Sequence, residues 1–453
     1  MQNNIKPLRM LLVRLPLALL PALALPAHGA VTEVSPGDDV RAAIAALQPG
    51  DELVLGGGVY GFDSRFNITV VGEPGRPVVI RGQTGEQAII EMNTGSQNVL
   101  EVQGSAYLVL RGLTFRGGSH GIRLMDSDFI TIEDCEIYET GDVALSANSG
   151  GTYEGLVIRR NHIHHTNGTG EGMYLGCNND ACRVMNSVIE WNYIHDTNRA
   201  TVEQGDGIEL KEGSAGNIIR HNVIHDTNYP GIITYSTVGN GPPNIIEGNL
   251  IWNTNDNGIQ SAADAIIRNN IVLGSPIALQ SHQSGSPSNQ VVVHNTVIVQ
   301  GGGINVRDVS GPVVIANNAV YSQSGTAIRL ISGNTNLVTV IGNVGEGGIS
   351  GTSAGFTDGN GLAADFIDAH YGGAPPIDLF PAEGSALVGA GSAEYVPELD
   401  FNGTPRAGIA DAGAYRFQPG GNPGWALGPG FKGSGAQAAR PNPPTDVTAT
   451  AAL

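Results

Sequence analysis

Asn161-His162-Ile163-His164-His165-Thr166-Asn167 returns 31 residues later as Asn192-Tyr193-Ile194-His195-Asp196-Thr197-Asn198, and again as Asn222-Val223-Ile224-His225-Asp226-Thr227-Asn228. Outward from these three copies, the same frame of flanking apolar residues places asparagines at Asn249, Asn270, Asn295, Asn318 and Asn343, with Gly112 and Cys135 in the equivalent place upstream. Successive asparagines are 21 to 31 residues apart. Each unit holds short runs of alternating apolar and polar residues, broken by Asn, Gly and Asp-Thr turns, so the period is that of strands.

A repeat this short, with several strands and one recurring asparagine, predicts a right-handed parallel β-helix: an all-β solenoid with one unit per coil. Coils then stack about 4.8 Å apart, and equivalent side chains form ladders. The asparagines should form one ladder, and His164, His195, His225 and Trp252 an aromatic one. Asp38-Asp39 followed by Val40 to Leu47 reads as a short amphipathic helix that caps the N-terminal end, with Glu52 to Leu55 as the first strand. The solenoid is expected over residues 31–395 and a closing segment over 396–417. Glycine, proline and alanine then make 418–453 a linker, whose Pro443 to Thr450 resembles the first strand of a fibronectin-like module.

Composition narrows the function. The chain of 453 residues carries a formal charge of −19, and residues 1–30 hold Lys6, Arg9 and Arg14 without an acid. That opening stretch, with an apolar run from Leu15 to Leu25 and small residues at Ala27-His28-Gly29, reads as a secretory signal peptide. Secreted or periplasmic location, a monomeric state and no later membrane span are expected. Nucleic acid is excluded as a partner, since phosphate binding needs a basic face. An acidic polysaccharide remains compatible if a divalent cation or a local basic group bridges the like charges. Cys177 and Cys182 flank four residues and suit a local disulfide, whereas Cys135 suits the core.

Lys211 is the one lysine between Lys6 and Lys432. It ends Gly207-Ile208-Glu209-Leu210-Lys211, a strand that recurs as Gly121 to Leu124, Gly172 to Leu175, Gly231 to Tyr235 and Gly258 to Ser261. If the isoleucines and leucines face inward, Tyr174, Glu209, Ile233 and Gln260 form one outward column, and Lys211 and Tyr235 stand one coil apart in the next. Glu171 and Asp206 hold equivalent places just ahead of the strand. Two stacked carboxylates call for a cation, so Ca2+ is the expected cofactor, with Glu203 as a third ligand and Glu209, Asn178, Asn179 and Asp180 as further oxygen donors. The longest connections, Thr166–Gly170, Gly176–Asn186, Asp196–Gly205 and Ser236–Asn244, fall on these coils and suggest a cleft.

Asn167 to Gly176, Asp206 to Lys211 and Asn217 to Asn222 together resemble the central coils of the alginate lyase and chondroitinase B family, polysaccharide lyase family six. The resemblance implies a Ca2+ site, with Asp206 on an acidic ligand position and Glu203 beside the other. It also implies a Brønsted base at Lys211; Tyr235 stands where the family carries an arginine. On this reading a uronate polysaccharide is cleaved by β-elimination: Lys211 takes the C5 proton, Tyr235 (or Tyr174) protonates the leaving oxygen, and Glu209, Arg123 or Arg220 contacts the substrate. Three other readings fit the same residues: a glycoside hydrolase with a carboxylate pair among Glu171, Asp206 and Glu209, a C5-epimerase, and a non-catalytic glycan-binding surface protein.

Overall fold

The computed structural model describes residues 29–432. The body of the expected signal sequence and the fibronectin-like stretch lie outside the described residues. Three parallel sheets run the length of the molecule, with 13, 12 and 13 strands. The first sheet begins at Val31–Val34 and ends at Val338–Ile341; the second runs from Asn67–Ile68 to Ile349–Ser350; the third runs from Gly58–Phe62 to Phe356–Asp358. Each coil contributes one strand to each sheet, and strands one coil apart are hydrogen-bonded in parallel register.

The alternation within each strand is the reason the sheets close on a core. In Ile208–Leu210, Ile208 and Leu210 are fully buried inside the tube, and so are Ile219 and Ile224 of the other two sheets. Each such side chain is worth about 1.5–3 kcal/mol of burial. The glycine that precedes many strands of the second sheet, as at Gly121, Gly172, Gly207, Gly231, Gly258 and Gly303, is set by proximity. A Cβ at Gly207 would lie 2.4 Å from the carbonyl oxygen of Gly231 on the next coil.

The asparagine ladder runs unbroken from Asn161 to Asn343. The Oδ1 of each asparagine accepts from both the backbone N–H and the Nδ2 of the asparagine one coil earlier, at 2.9–3.1 Å. The residue before each rung is left-handed, as at Arg160, Trp191 and His221, so the chain turns within two residues. Gly112 occupies this left-handed position and is not itself a rung; Leu113 stands in the rung place, followed by Cys135 in the next coil. The aromatic ladder forms on the third sheet: His164 on His195 and His195 on His225 are parallel with ring centres 5.1 and 5.0 Å apart, and Trp252 closes the stack at 4.2 Å.

Some expected boundaries move. The first strand is Val31–Val34, paired with Glu52–Leu55, and the helix Val40–Ala45 lies between them. Asp39 Oδ1 accepts from Ala42 N at its start, and Val40 and Ile44 join the core. Coiling ends near Asp358, before residue 395. The chain then folds back over the outer face of the third sheet, where Leu362, Phe366, Phe380, Phe401 and Tyr415 pack on Leu250, Leu273 and Ile298. Residues 418–432, expected as linker, belong to this cover, since Phe431 is buried in it. Arg406 is fully buried and latches the cover, donating to Asn269 Oδ1 and to the carbonyls of Gly413 and Ala414. Among the described residues no helix is long and apolar enough to cross a membrane.

Candidate active site

The second sheet carries the site on its outward face. Register aligns Tyr174, Glu209, Ile233 and Gln260 on successive strands. The next outward position brings Lys211 beside Tyr235: Lys211 Nζ donates to Tyr235 Oη at 3.1 Å. The ammonium also pairs with Glu209 Oε1 and lies 4.6 Å from the ring centres of both Tyr174 and Tyr235. Tyr235 Oη in turn donates to Glu209 Oε1 at 2.8 Å and lies 3.0 Å from His282 Nε2. Lysine, glutamate, tyrosine and histidine thus form one hydrogen-bonded chain.

Beside it, Glu171, Asp206 and Glu209 bring carboxylate oxygens within 4.8 Å of one another, all three buried. Glu171 Oε1 and Glu209 Oε2 have no hydrogen-bond partner there. Thr169 Oγ1 lies 2.7 Å from Glu171 Oε2 and 2.6 Å from Asp142 Oδ1, which adds a fourth carboxylate to the edge. Three buried carboxylates facing one lysine are short of positive charge, and orphaned oxygens in a buried site fit a hard cation with oxygen ligands. Without a cation, burial and then the Glu209 charge push the Glu171 carboxyl up to about 7; burial, Glu209 and Glu171 hold Asp206 well above the usual carboxylate range.

The proton-carrying groups are tuned by the same surroundings. Burial alone would lower Lys211, but the Glu209 carboxylate against it outweighs burial and keeps its pKa above the ordinary lysine value. Burial, followed by Glu209, raises Tyr235. Burial, with the Lys211 charge, holds His282 below its ordinary value and therefore neutral at pH 7. A cavity of about 150 Å³ opens over Asp206, Glu209, Tyr235, Gln260 and His282.

Comparison with known proteins places this arrangement on a familiar scaffold. The family described as "Pel9A-like, right handed beta helix region" matches residues 23–229, and "Right handed beta helix region" matches 185–344. The chain is a right-handed parallel β-helix protein. Among solved structures it is similar to pectate lyase Pel9A, at 15% identity over 86% of this chain and 97% of that one, with a TM-score of 0.52. It is also similar to XylC in complex with xylose, at 10% identity over 72% and 86%, with a TM-score of 0.51. An alginate lyase from Paenibacillus sp. str. FPU-7 is 19% identical over 63% of this chain and 95% of that one, with a TM-score of 0.46. At these identities the shared property is the fold. No curated protein sequence matches the chain.

Within the β-helix protein, Lys211, Tyr235, Tyr174, Glu171, Asp206 and Glu209 are brought together. Glu203 is not: it is exposed on the loop ahead of Asp206, and Glu209 takes the third place in the carboxylate cluster. Asn178, Asn179 and Asp180 lie apart from that cluster, on the loop closed by the Cys177–Cys182 disulfide; Asp180 there pairs with Arg183 at 2.7 Å. Arg220 sits on the first sheet, paired with Glu190 at 2.7 Å, and so faces away from the site. Arg123 shares the Tyr174 column with Ser146 between them, and its buried Nε has no partner. His282, which the sequence marks only as an isolated histidine outside the repeat, joins the site. It arrives on the Ser281–Ser286 turn, which Glu212 pins by accepting from Ser284 N at 2.9 Å, while the other Glu212 oxygen accepts from Asn179 N at 2.8 Å.

Proposed function

We propose that this β-helix protein is a polysaccharide lyase that cleaves a uronate-containing chain by β-elimination. The observation that carries the reading is the Lys211–Glu209–Tyr235–His282 chain set against the carboxylate cluster. Ca2+ held by Glu171, Asp206 and Glu209 would neutralise the substrate carboxylate and acidify the C5 proton. Lys211 acts as the neutral amine, a form the charge of the bound cation would favour by offsetting Glu209; it takes that proton as the C4–oxygen bond breaks and the C4–C5 double bond forms, and Tyr235 returns a proton to the departing oxygen. Tyr174 and Glu209 hold the Lys211 side chain between them. Arg123 lies far enough along the face to meet a further sugar. The export expected from residues 1–30 suits an enzyme that meets its polymer outside the cell.

A hydrolase with paired carboxylates is less well supported, because Glu171, Asp206 and Glu209 bring oxygens within 4.8 Å of one another, closer than the about 6.5–9.5 Å of an inverting pair, and all three are buried beside an unpartnered oxygen. A second assignment within the lyase reading rests on one observation: Tyr235 and His282 line the cavity and Lys211 does not. Tyr235, its own proton passed to Glu209 along their hydrogen bond, would then take the C5 proton, with Lys211 steadying the phenolate oxygen.

The test is ultraviolet absorbance of the unsaturated uronate product on alginate, pectate, chondroitin and glucuronan, with and without a chelator. Activity on at least one, lost with chelator, is expected. Loss of the base should cost about 10²–10⁴-fold in Lys211→Ala. Lys211→Arg separates the assignments: a guanidinium cannot act as base, so retained turnover transfers that role to Tyr235. Silence on every uronate would falsify the lyase reading, and full activity in Lys211→Ala would remove Lys211 from the chemistry.

A further inference from the structure

The third sheet holds a second constellation of ligand-type side chains, apart from the candidate active site on the second sheet. Glu136 and His162 are paired across adjacent coils, and His164 follows two residues along the same outward face. Glu136 Oε1 lies 3.5 Å from His162 Nδ1 and 3.4 Å from His164 Nε2, and the three ligand atoms all fall within 4.8 Å of one another. Two ligands of a tetrahedral zinc ion, each about 2.0–2.1 Å from the metal, stand about 3.3 Å apart. Both distances to the Glu136 oxygen match that edge.

The hydrogen bonds behind these residues fix one proton. His195 Nδ1 lies 2.7 Å from Asp196 Oδ2 and must donate to it, which leaves His195 Nε2 as an acceptor. His162 Nε2, 2.8 Å from that nitrogen, must therefore be the donor. The lone pair of His162 is then on Nδ1, facing the Glu136 carboxylate with no proton between them. Two electron-rich atoms in that arrangement repel unless a cation joins them. His164 Nδ1 lies 2.7 Å from His165 Nδ1, so it can hold its proton there and free Nε2 as a ligand. Each ligating imidazole thus has an acceptor behind it, a histidine nitrogen in the place where metal-binding histidines usually have a carboxylate, carbonyl or water.

We propose that Glu136, His162 and His164 form a binding site for a divalent transition metal of the zinc class, with solvent in the fourth position. Two imidazoles and one carboxylate favour such an ion over Ca2+, whereas the all-oxygen cluster at Glu171, Asp206 and Glu209 has the opposite preference. Because Glu136 belongs to one coil and the two histidines to the next, the ion fastens successive coils from outside.

The tag-free full-length protein, stripped with chelator and returned to excess Ca2+, is titrated calorimetrically with Zn2+ alone. One Zn2+ per chain is expected, with a rise in Tm that follows zinc concentration. Co2+ in its place should give the strong visible bands of a four-coordinate ion. His162→Ala with His164→Ala should abolish binding. Glu136→Gln should weaken it by more than the about 10–100-fold typical of losing an outer partner. Glu171→Gln should leave it unchanged. Absence of zinc binding, or binding that survives both the double histidine variant and Glu136→Gln, overturns the proposal. Glu136→Gln, an isosteric change on a half-buried residue, keeps the test decisive should the double variant misfold.

Discussion

At the scale of the residue, Glu171 joins electrostatics to stability. Its carboxyl titrates near 7 in the folded chain against 4.5 for the free group, because burial and Glu209 oppose its charge. The folded state therefore binds this proton more tightly than the unfolded state. The stability it contributes is complete below about pH 4.5 and is lost as pH rises through 7. With chelator present, the Tm of the wild type should fall between pH 5 and 8, and that of Glu171→Gln should fall less. Added Ca2+ should restore the wild type at pH 8 and do little for the variant. Identical pH slopes in the two proteins would remove Glu171 from the cluster's charge balance. What could be read from sequence at this scale was whatever repeats. Glu209, Lys211, Tyr174 and Tyr235 fell into place because outward positions recur every second residue. His282 and Glu212 did not, since their partners Tyr235 and Ser284 lie 47 and 72 residues away across irregular turns. Glu203 was misread for the same reason: a loop residue has no period to fix its direction.

At the scale of the element, the ladder asparagines do more than decorate turns. Asn222 is fully buried; it donates to Ile189 O and Asn249 Oδ1 and accepts from the Asn192 backbone and side chain. Asn222→Ala leaves several buried groups unpaired, at about 1–3 kcal/mol each. A loss of roughly 3 kcal/mol or more is expected in urea unfolding followed by circular dichroism; a change within experimental error would mean the turn is held by its backbone alone. Glu212 joins two loops in a similar way. Glu212→Ala should release the Ser281–Ser286 turn and lower turnover through His282 while the solenoid stays folded, seen as lost activity at unchanged Tm. The rungs were legible because a ladder demands the same residue at each coil. The exact turn was not, because the left-handed residue before each rung varies among Arg, Trp, His, Gly and Asn and bears no common chemistry.

At the scale of the whole molecule, the cover is the part that sequence reading placed least well. Its signal was present: outward positions of the third sheet turn apolar from Val223 onward, through Leu250, Ile271, Leu273 and Ile298, where a solvated face should be polar. Periodicity assigns strands but does not say what lies on them. Arg406 should prove the fastening point. Arg406→Met removes donors to Asn269, Gly413 and Ala414, and the variant should be clipped by protease near residues 396–417 far sooner than the wild type, with the solenoid fragment surviving. Equal clipping rates would show that apolar packing alone holds the segment.

The same cover decides how the molecule bears load. Hydrogen bonds of all three sheets run along the solenoid axis, so tension between the ends acts on one coil at a time and peels the early coils at low force. From Val223 onward the returning chain spans many coils at once and must slide over all of them before any can part. Pulled in a force microscope, the molecule should give small regular steps from its N-terminal half, then one larger rupture from the half its own tail has lashed together.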